Sequence, residues 1–278
     1  MADNRKKELG DFLRARRARV DRSAFGLPPT GRARTNGLRR EEVAAFAGVS
    51  VTWLTWLEQG RDINASRQVL EAIARVLSLD AAETTFLLTL GGYTSEGLAR
   101  TPGPEVMPEH LQRLLDALTF PAFAVASDWT IAGWNRAYQL LYSAIDSIPL
   151  GDRNLLWLLF TDPVLRQMMT DWQETSKHFV AEFRAEAGLR LGSGSHAGLL
   201  QRLEQASPEF STIWRNHDVE RFTSRQRVFE HPDVGTLEFE HHRFVPSDAP
   251  ELHVVMYLPM PGSETPERLA ALHARTSQ

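Results

Sequence analysis

Two groups of residues in this 278-residue chain have the types and spacings that do chemistry. The first lies in "LRREEVAAFAGVSVTWLTWLEQG", residues 38–60. Arg39 and Arg40 stand where a helix should begin, so their side chains and the free amides there can meet DNA phosphates. Ser50, Val51, Thr52, Thr55 and Trp56 fall on one face of the following helix. Threonine hydroxyls can bond base edges or phosphates, and the methyls of Val51 and Thr52 suit the thymine methyl group. Upstream, Arg32 and Arg34 in "GLPPTGRART" are placed to follow a phosphate backbone or enter a minor groove. The second group is bulky and soft: Trp134, Trp157, Phe160, Met168, Met169, Trp172, Phe179, Phe183, Trp214 and Phe229 exceed what a minimal core requires. Such side chains can wall a planar or aliphatic guest, with Asn135, Arg153, His217, Arg225 and Arg227 as polar groups to orient it.

Other chemistry is thin. The chain has no cysteine, which removes disulfides, cysteine-zinc sites and thiol catalysis. His217 and Asp218 are neighbours in sequence and do not face each other on a helix, so they make no catalytic dyad. His241 and His242 are consecutive on a strand and point to opposite faces. No glycine-rich phosphate loop is present, and "GSGS" at residues 192–195 reads as a flexible connection. The expectation is a protein that is not an enzyme, with neither metal nor resident cofactor. With no signal peptide and no apolar run long enough to span a bilayer, it should be cytoplasmic, nucleoid-associated and free of the membrane.

The elements that must hold the first group read as five helices. Around Gly48 the apolar positions are Val43, Ala47, Val49, Leu54 and Leu57, with small Ala44 four residues before the glycine, which is helix-turn-helix spacing. Ser50 should cap the second of these helices. A helix over residues 8–20 precedes them. "SRQVLEAIARVLSL" and "DAAETTFLLTLGG" follow, the latter opening on a capping-box pair, Asp80 and Glu83. After "GGYTSEGLARTPGPEVMP", a linker, come an amphipathic helix, a strand-turn-strand in "PAFAVASDWTIAGWN" and a helix from Asn135. One long helix is expected over "DPVLRQMMTDWQETSKHFVAEFRAEAG", capped by Asp162 with Pro163 first. Three alternating runs, "SRQRVFEH", "GTLEFEHHRFV" and "ELHVVMYL", read as a closing meander, giving a five-stranded antiparallel sheet with helices over one face.

"GLRREEVAAFAGVS" with "LEQGRD" resembles the xenobiotic-response-element (XRE) type of helix-turn-helix regulator, in the branch that carries a MmyB-like ligand-binding domain. The resemblance continues through the arginine-containing insert "VDRSAFGLPPTGRARTNGLRREE" and through "NLLWLLF", "DPVLRQMMTDW", "ASPEFSTIWRNHDV" and "HPDVGTLEFE". Relatives commonly carry tyrosine and arginine where this chain has Leu54 and Trp56, a departure that leaves DNA binding in place and the operator sequence open. The resemblance implies a PAS-like α+β second domain holding a small hydrophobic, fatty-acid-like effector.

The expected organisation is an all-α helix-turn-helix domain over residues 1–92, a linker over 93–107, the PAS-like domain over 108–262 and a tail over 263–278. Charge divides the same way: residues 1–75 carry 15 Lys and Arg against 9 Asp and Glu, a net +6, which leaves −10 for the remainder. Basic charge where the motif lies favours nucleic acid, and an acidic remainder keeps the rest of the chain off it. The expected function is therefore a transcription regulator of the repressor type, binding double-stranded operator DNA as a homodimer and tuned by an apolar effector. Two alternatives stand beside it: a ligand-free dimerisation or partner module, and a haem-binding sensor.

Overall fold

A computed structural model describes residues 2–27, 37–93, 107–191 and 194–276. Arg32 and Arg34, most of the linker, and Gly192 and Ser193 lie outside the described residues. The chain forms two compact units: residues 1–98 with 181–200 and 212–221, and residues 99–180 with 201–211 and 222–278.

The first unit contains the five expected helices: α1 (Ala2–Arg19), α2 (Arg40–Ala47), α3 (Val51–Glu58), α4 (Arg67–Val76) and α5 (Ala81–Leu90), with a 3₁₀ turn at Arg22–Phe25. Local chemistry sets their ends. Gly48 adopts φ +70, the left-handed conformation that costs other residues about 1–2 kcal/mol, and turns the chain from α2 into α3. The Ser50 hydroxyl accepts from Trp53 N at 3.1 Å, and Asp80 and Glu83 exchange the reciprocal bonds of a capping box. Leu9, Phe12, Leu13, Val43, Ala44, Leu54, Leu57, Leu70, Ile73 and Phe86 form the core, with Phe12 edge-on to Phe86 at 5.2 Å. Glycine permits the tightest crossing: a Cβ on Gly10 would stand 2.3 Å from the Glu58 carbonyl oxygen, so α1 and the end of α3 meet backbone to backbone.

The second unit is the expected α+β fold on a five-stranded antiparallel sheet. Its strands are β1 (Ala122–Val125), β2 (Ile131–Trp134), β3 (Arg225–His231), β4 (Gly235–Phe244) and β5 (His253–Pro259), in the order β2-β1-β5-β4-β3. The last strand lies centrally between the hairpins, so β1 is buried on both faces. Helix α6 (Glu109–Asp116) brings Leu115 onto Ala122, Ala124 and Val254. On the opposite face, Phe123 packs on Tyr138 of α7 (Arg136–Leu141) at 4.5 Å and on Tyr257 at 5.8 Å. Helices therefore cover both faces rather than the one expected, because the small β1 side chains Ala122 and Ala124 admit a helix from behind.

Two further differences from the expected elements have local causes. The single long helix is two, α9 (Pro163–Met168) and α10 (Trp172–Ala187), preceded by α8 (Leu155–Thr161). Asp162 and Pro163 open α9 as expected, but Met169 turns extended at ψ 110 and makes an isolated bridge with Phe229. Residues 263–278, set aside as a tail, contain α13 (Thr265–Thr276), whose Leu269 and Leu272 are buried and whose Thr265 hydroxyl accepts from Glu238 N at 2.8 Å. Gly194 opens α11 (Gly194–Ala206), so the later half of "GSGS" is helical, and α12 (Pro208–Trp214) follows.

Candidate nucleic-acid interface and apolar cavity

Helix α3 has two sides. Leu54, Leu57 and Glu58 are buried, while Val51, Thr52 and Trp56 are exposed, with Trp56 39% and Val51 40% open to solvent. Thr55 is half-buried and its hydroxyl donates to the Val51 carbonyl at 2.8 Å, so its oxygen is already engaged along the helix. The Arg61 guanidinium lies 5.7 Å from the Trp56 ring, a cation–π contact at the rim of this face. Arg39 is exposed at the start of α2, where its backbone N–H donates to the Glu42 carboxylate at 2.6 Å. Arg40 is also at this start, but its Nε donates to Glu58 at 2.6 Å.

Glu58 organises the face from below, and the sequence reading missed it. Its carboxylate, 1% exposed, receives Nε and Nη2 of Arg17 from α1 at 2.7 and 3.1 Å, together with Arg40. A forked arginine–carboxylate pair fixes direction as well as distance, so α1, α2 and α3 meet on one charge. A second fork joins Arg22 to Glu42. The hydrogen bond from Arg22, despite some desolvation, and that from the Arg39 amide hold the Glu42 carboxyl below the usual carboxylate range. Only the burial of an acid at the last turn of α3, a detail with no periodic signature, would have revealed the Glu58 hub.

In the second unit a small apolar cavity lies between the sheet and α7–α10. Tyr138, Leu141, Tyr142, Leu155, Leu159, Leu165, Met168, Met169, Phe179, Phe229 and Tyr257 line it. Its volume is about 20 Å³, room for roughly one water. Burial pushes the Tyr257 phenol up to about 12, and burial with the Asp162 carboxylate beside it raises Tyr142 further still. Tyr142 donates its hydroxyl proton to Asp162. Beside the cavity, and sharing Met169 with it, is a polar cleft of about 320 Å³ that includes Thr175, His178, Arg225 and Arg227. The Arg227 guanidinium lies 5.3 Å from the Phe179 ring, which links the two spaces.

Of the side chains expected to form or orient the ligand site, Met168, Met169, Phe179 and Phe229 line this cavity and Arg225 and Arg227 line the cleft. The others lie elsewhere, each for a local reason. Asn135 is consumed as a structural node: its Oδ1 accepts from Ala122 N and Tyr138 N, and its Nδ2 donates to the carbonyls of Leu115, Leu118 and Phe120. Trp134 bonds Asp146 and stacks under Arg153, which itself donates to Ile148 O. Trp157 lies under Arg202. Phe160 packs on Phe210 and Trp172, and the Trp172 indole donates to Leu159 O at 2.9 Å. Trp214 and His217 belong to the first unit. His217 lies in a left-handed turn at φ +55 after α12, and its ring meets Glu8 and Arg184 rather than Asp218.

Among the described residues no cluster of His, Asp or Glu could hold a metal ion, and none of the cavity-lining residues is a histidine. Nor, among them, is any helix long and apolar enough to cross a membrane. Residues 107–272 match the family described as MmyB-like transcription regulator ligand binding domain, and residues 8–87 match a helix-turn-helix domain family. No curated protein matches the sequence.

Proposed function

The chain belongs to the MmyB-like transcription regulators, DNA-binding proteins with a ligand-binding domain, and on that premise we propose that α3 reads an operator in the major groove through Val51, Thr52 and Trp56. The observation that carries this reading is the division of α3 into a buried seam at Leu54 and Leu57 and an exposed, uncharged face one turn wide. Ser50 at the cap and Thr55 complete the face. Arg39 contributes a phosphate contact, and Arg40 another in so far as its remaining nitrogens reach beyond Glu58. Arg39→Ala should weaken binding to all duplexes alike and lower the salt slope by about one unit, whereas Thr52→Ala should change base preference. Fluorescence anisotropy across a salt series, on a duplex selected by the protein and on a scrambled one, separates the two. Unchanged preference in Thr52→Ala would remove α3 from base readout.

The proposed effector is a small amphipathic molecule of the fatty-acid type, its chain between Met168, Met169, Phe179 and Phe229 and its carboxylate beside Arg227. A guest burying about 300 Å² of apolar surface gains roughly 7 kcal/mol at ~25 cal/mol per Å². Ordering costs at least about 4 kcal/mol. The cavity at its present size admits no such chain, so the flexible pair Met168 and Met169, at the break between α9 and α10, would have to swing aside. The charge-assisted contact with Arg227 supplies the affinity that apolar burial does not. Thermal unfolding with fatty acids and their neutral alcohols tests this: acids should raise Tm more than alcohols, and Arg227→Met should abolish the difference. The role proposed for the whole is a homodimeric cytoplasmic repressor.

A further inference from the structure

Among the described residues Arg184 is the largest fully buried side chain, and the partners described below lie with it in the first unit. Its Nη1 donates to the Glu8 carboxylate on α1, its Nη2 to the Trp214 carbonyl, and its guanidinium stacks 3.6 Å from the Trp214 ring centroid. His217 closes the group, its Nδ1 3.2 Å from Arg184 Nη1 and 3.5 Å from the Glu8 carboxylate. Two more arginines of α1 grip the same turn: Arg16 donates to His217 O at 2.6 Å, and Arg19 donates to Asn216 O at 2.9 Å and pairs with Asp218 at 2.5 Å. The left-handed backbone of His217 costs energy in a non-glycine residue and persists where its surroundings over-determine it. Arg184 and residues 214–218 fall inside the matched ligand-binding segment, yet pack as part of the DNA-binding unit.

Glu8 sits at the point of α1 that touches the end of α3. Gly10 meets the Glu58 carbonyl, and a Cβ on Gly60 would stand 3.0 Å from the Lys7 backbone. Nine residues beyond Glu8, Arg17 reaches the buried Glu58 carboxylate. Force applied to Glu8 is therefore delivered to α3 through close-packed backbone and a fixed ion pair, neither of which deforms gradually. We propose that Arg184, with the Trp214–His217 turn, is a positioning residue for DNA recognition: it clamps α1 through Glu8 and so holds α3 in the orientation that docks on DNA. The inference rests on the α3 reading given above.

The test uses the full chain and a duplex selected by the wild-type protein from a randomised library. Arg184→Met leaves Glu8 with His217 alone in a largely buried site, which is destabilising in itself, so it is paired with Glu8→Gln/Arg184→Met, which removes both charges. Asp218→Ala, on the partly exposed side of the clamp, is the mild variant that keeps the test open if the core variants fail to fold. The expected result is at least tenfold weaker binding for both core variants and two- to threefold for Asp218→Ala, with faster amide hydrogen exchange at Leu54 and Leu57, which none of the substitutions touches. A merely structural role would lower the melting temperature and leave exchange in α3 and affinity below that temperature unchanged. That outcome, with Arg39→Ala and Thr52→Ala still altering DNA binding, would overturn the clamp and leave the α3 reading intact. If Thr52→Ala and Arg39→Ala change nothing, the reading fails first and the clamp with it.

Discussion

At the scale of single residues, the most consequential side chains are polar groups buried on purpose, and the sequence shows them poorly. Asn135 was legible as a helix start and as a polar group among aromatics; four of its five side-chain hydrogen bonds were not, because they join residues 13 to 20 positions apart. Asn135→Ala should cost the second unit about 3 kcal/mol, since it leaves buried amides and carbonyls without partners; the midpoint of urea unfolding measures it. His241, buried against Phe222 and Tyr257, is a second case. Burial, then the positive field of Arg227, Arg243, His242 and Arg225, holds its imidazole well below the usual histidine range. The folded state therefore keeps it neutral while the unfolded chain binds a proton near pH 6.5, so the unfolded state binds more protons as pH falls below that value. Stability should be full above about pH 6.5 and decline below it, and His241→Phe should decline less between pH 7 and 5.5 in parallel denaturant titrations. A slope unchanged by the substitution would show that other groups carry the acid sensitivity.

At the scale of elements, periodicity and punctuation identified nearly everything with a local cause: five helices, five strands, the caps at Ser50, Asp80, Asn135 and Asp162, and the turn at Gly48. What escaped depends on distant partners. Nothing within "QMMTDW" announces a break, because the extended backbone of Met169 is stabilised by its bridge to Phe229, sixty positions away. Two glycines separate turn chemistry from close approach. Gly48 has open space where a Cβ would be, so Gly48→Ala should cost only the left-handed strain, about 1–2 kcal/mol, and leave DNA affinity within about twofold once the protein is folded. Gly10→Ala drives a methyl into the Glu58 carbonyl, which must move, so the same measurement should show a lower melting temperature and weaker DNA binding together. Equal behaviour of the two variants would contradict the role given to the α1–α3 crossing.

At the scale of the whole molecule, the charge asymmetry and motif order were legible, whereas the path of the chain through its two units was not. Beyond the expected residues 1–92, the first compact unit also takes in residues 181–200 and 212–221. Those segments occupy surface on α5 that a dimer would otherwise be free to use: Arg221 donates to Thr85 at 2.8 Å, and a Cβ on Gly188 would come within 3.1 Å of Thr89. The dimer proposed for reading two half-sites roughly 34 Å apart should therefore be held by the second unit. Sedimentation of the full chain with and without operator should show a dimer that persists when Thr85→Ala and Arg221→Ala are introduced; a monomer on DNA would end the two-fold picture. The divided first unit has a further consequence for synthesis. A ribosome that has released residue 98 has not yet made Arg184 or Trp214, and at roughly 5–20 residues per second the interval to residue 221 is about 6–25 s. During that interval the nascent helix-turn-helix carries a Glu8 without its arginine, so the protein acquires its complete DNA-binding unit only after most of its sensor has been translated.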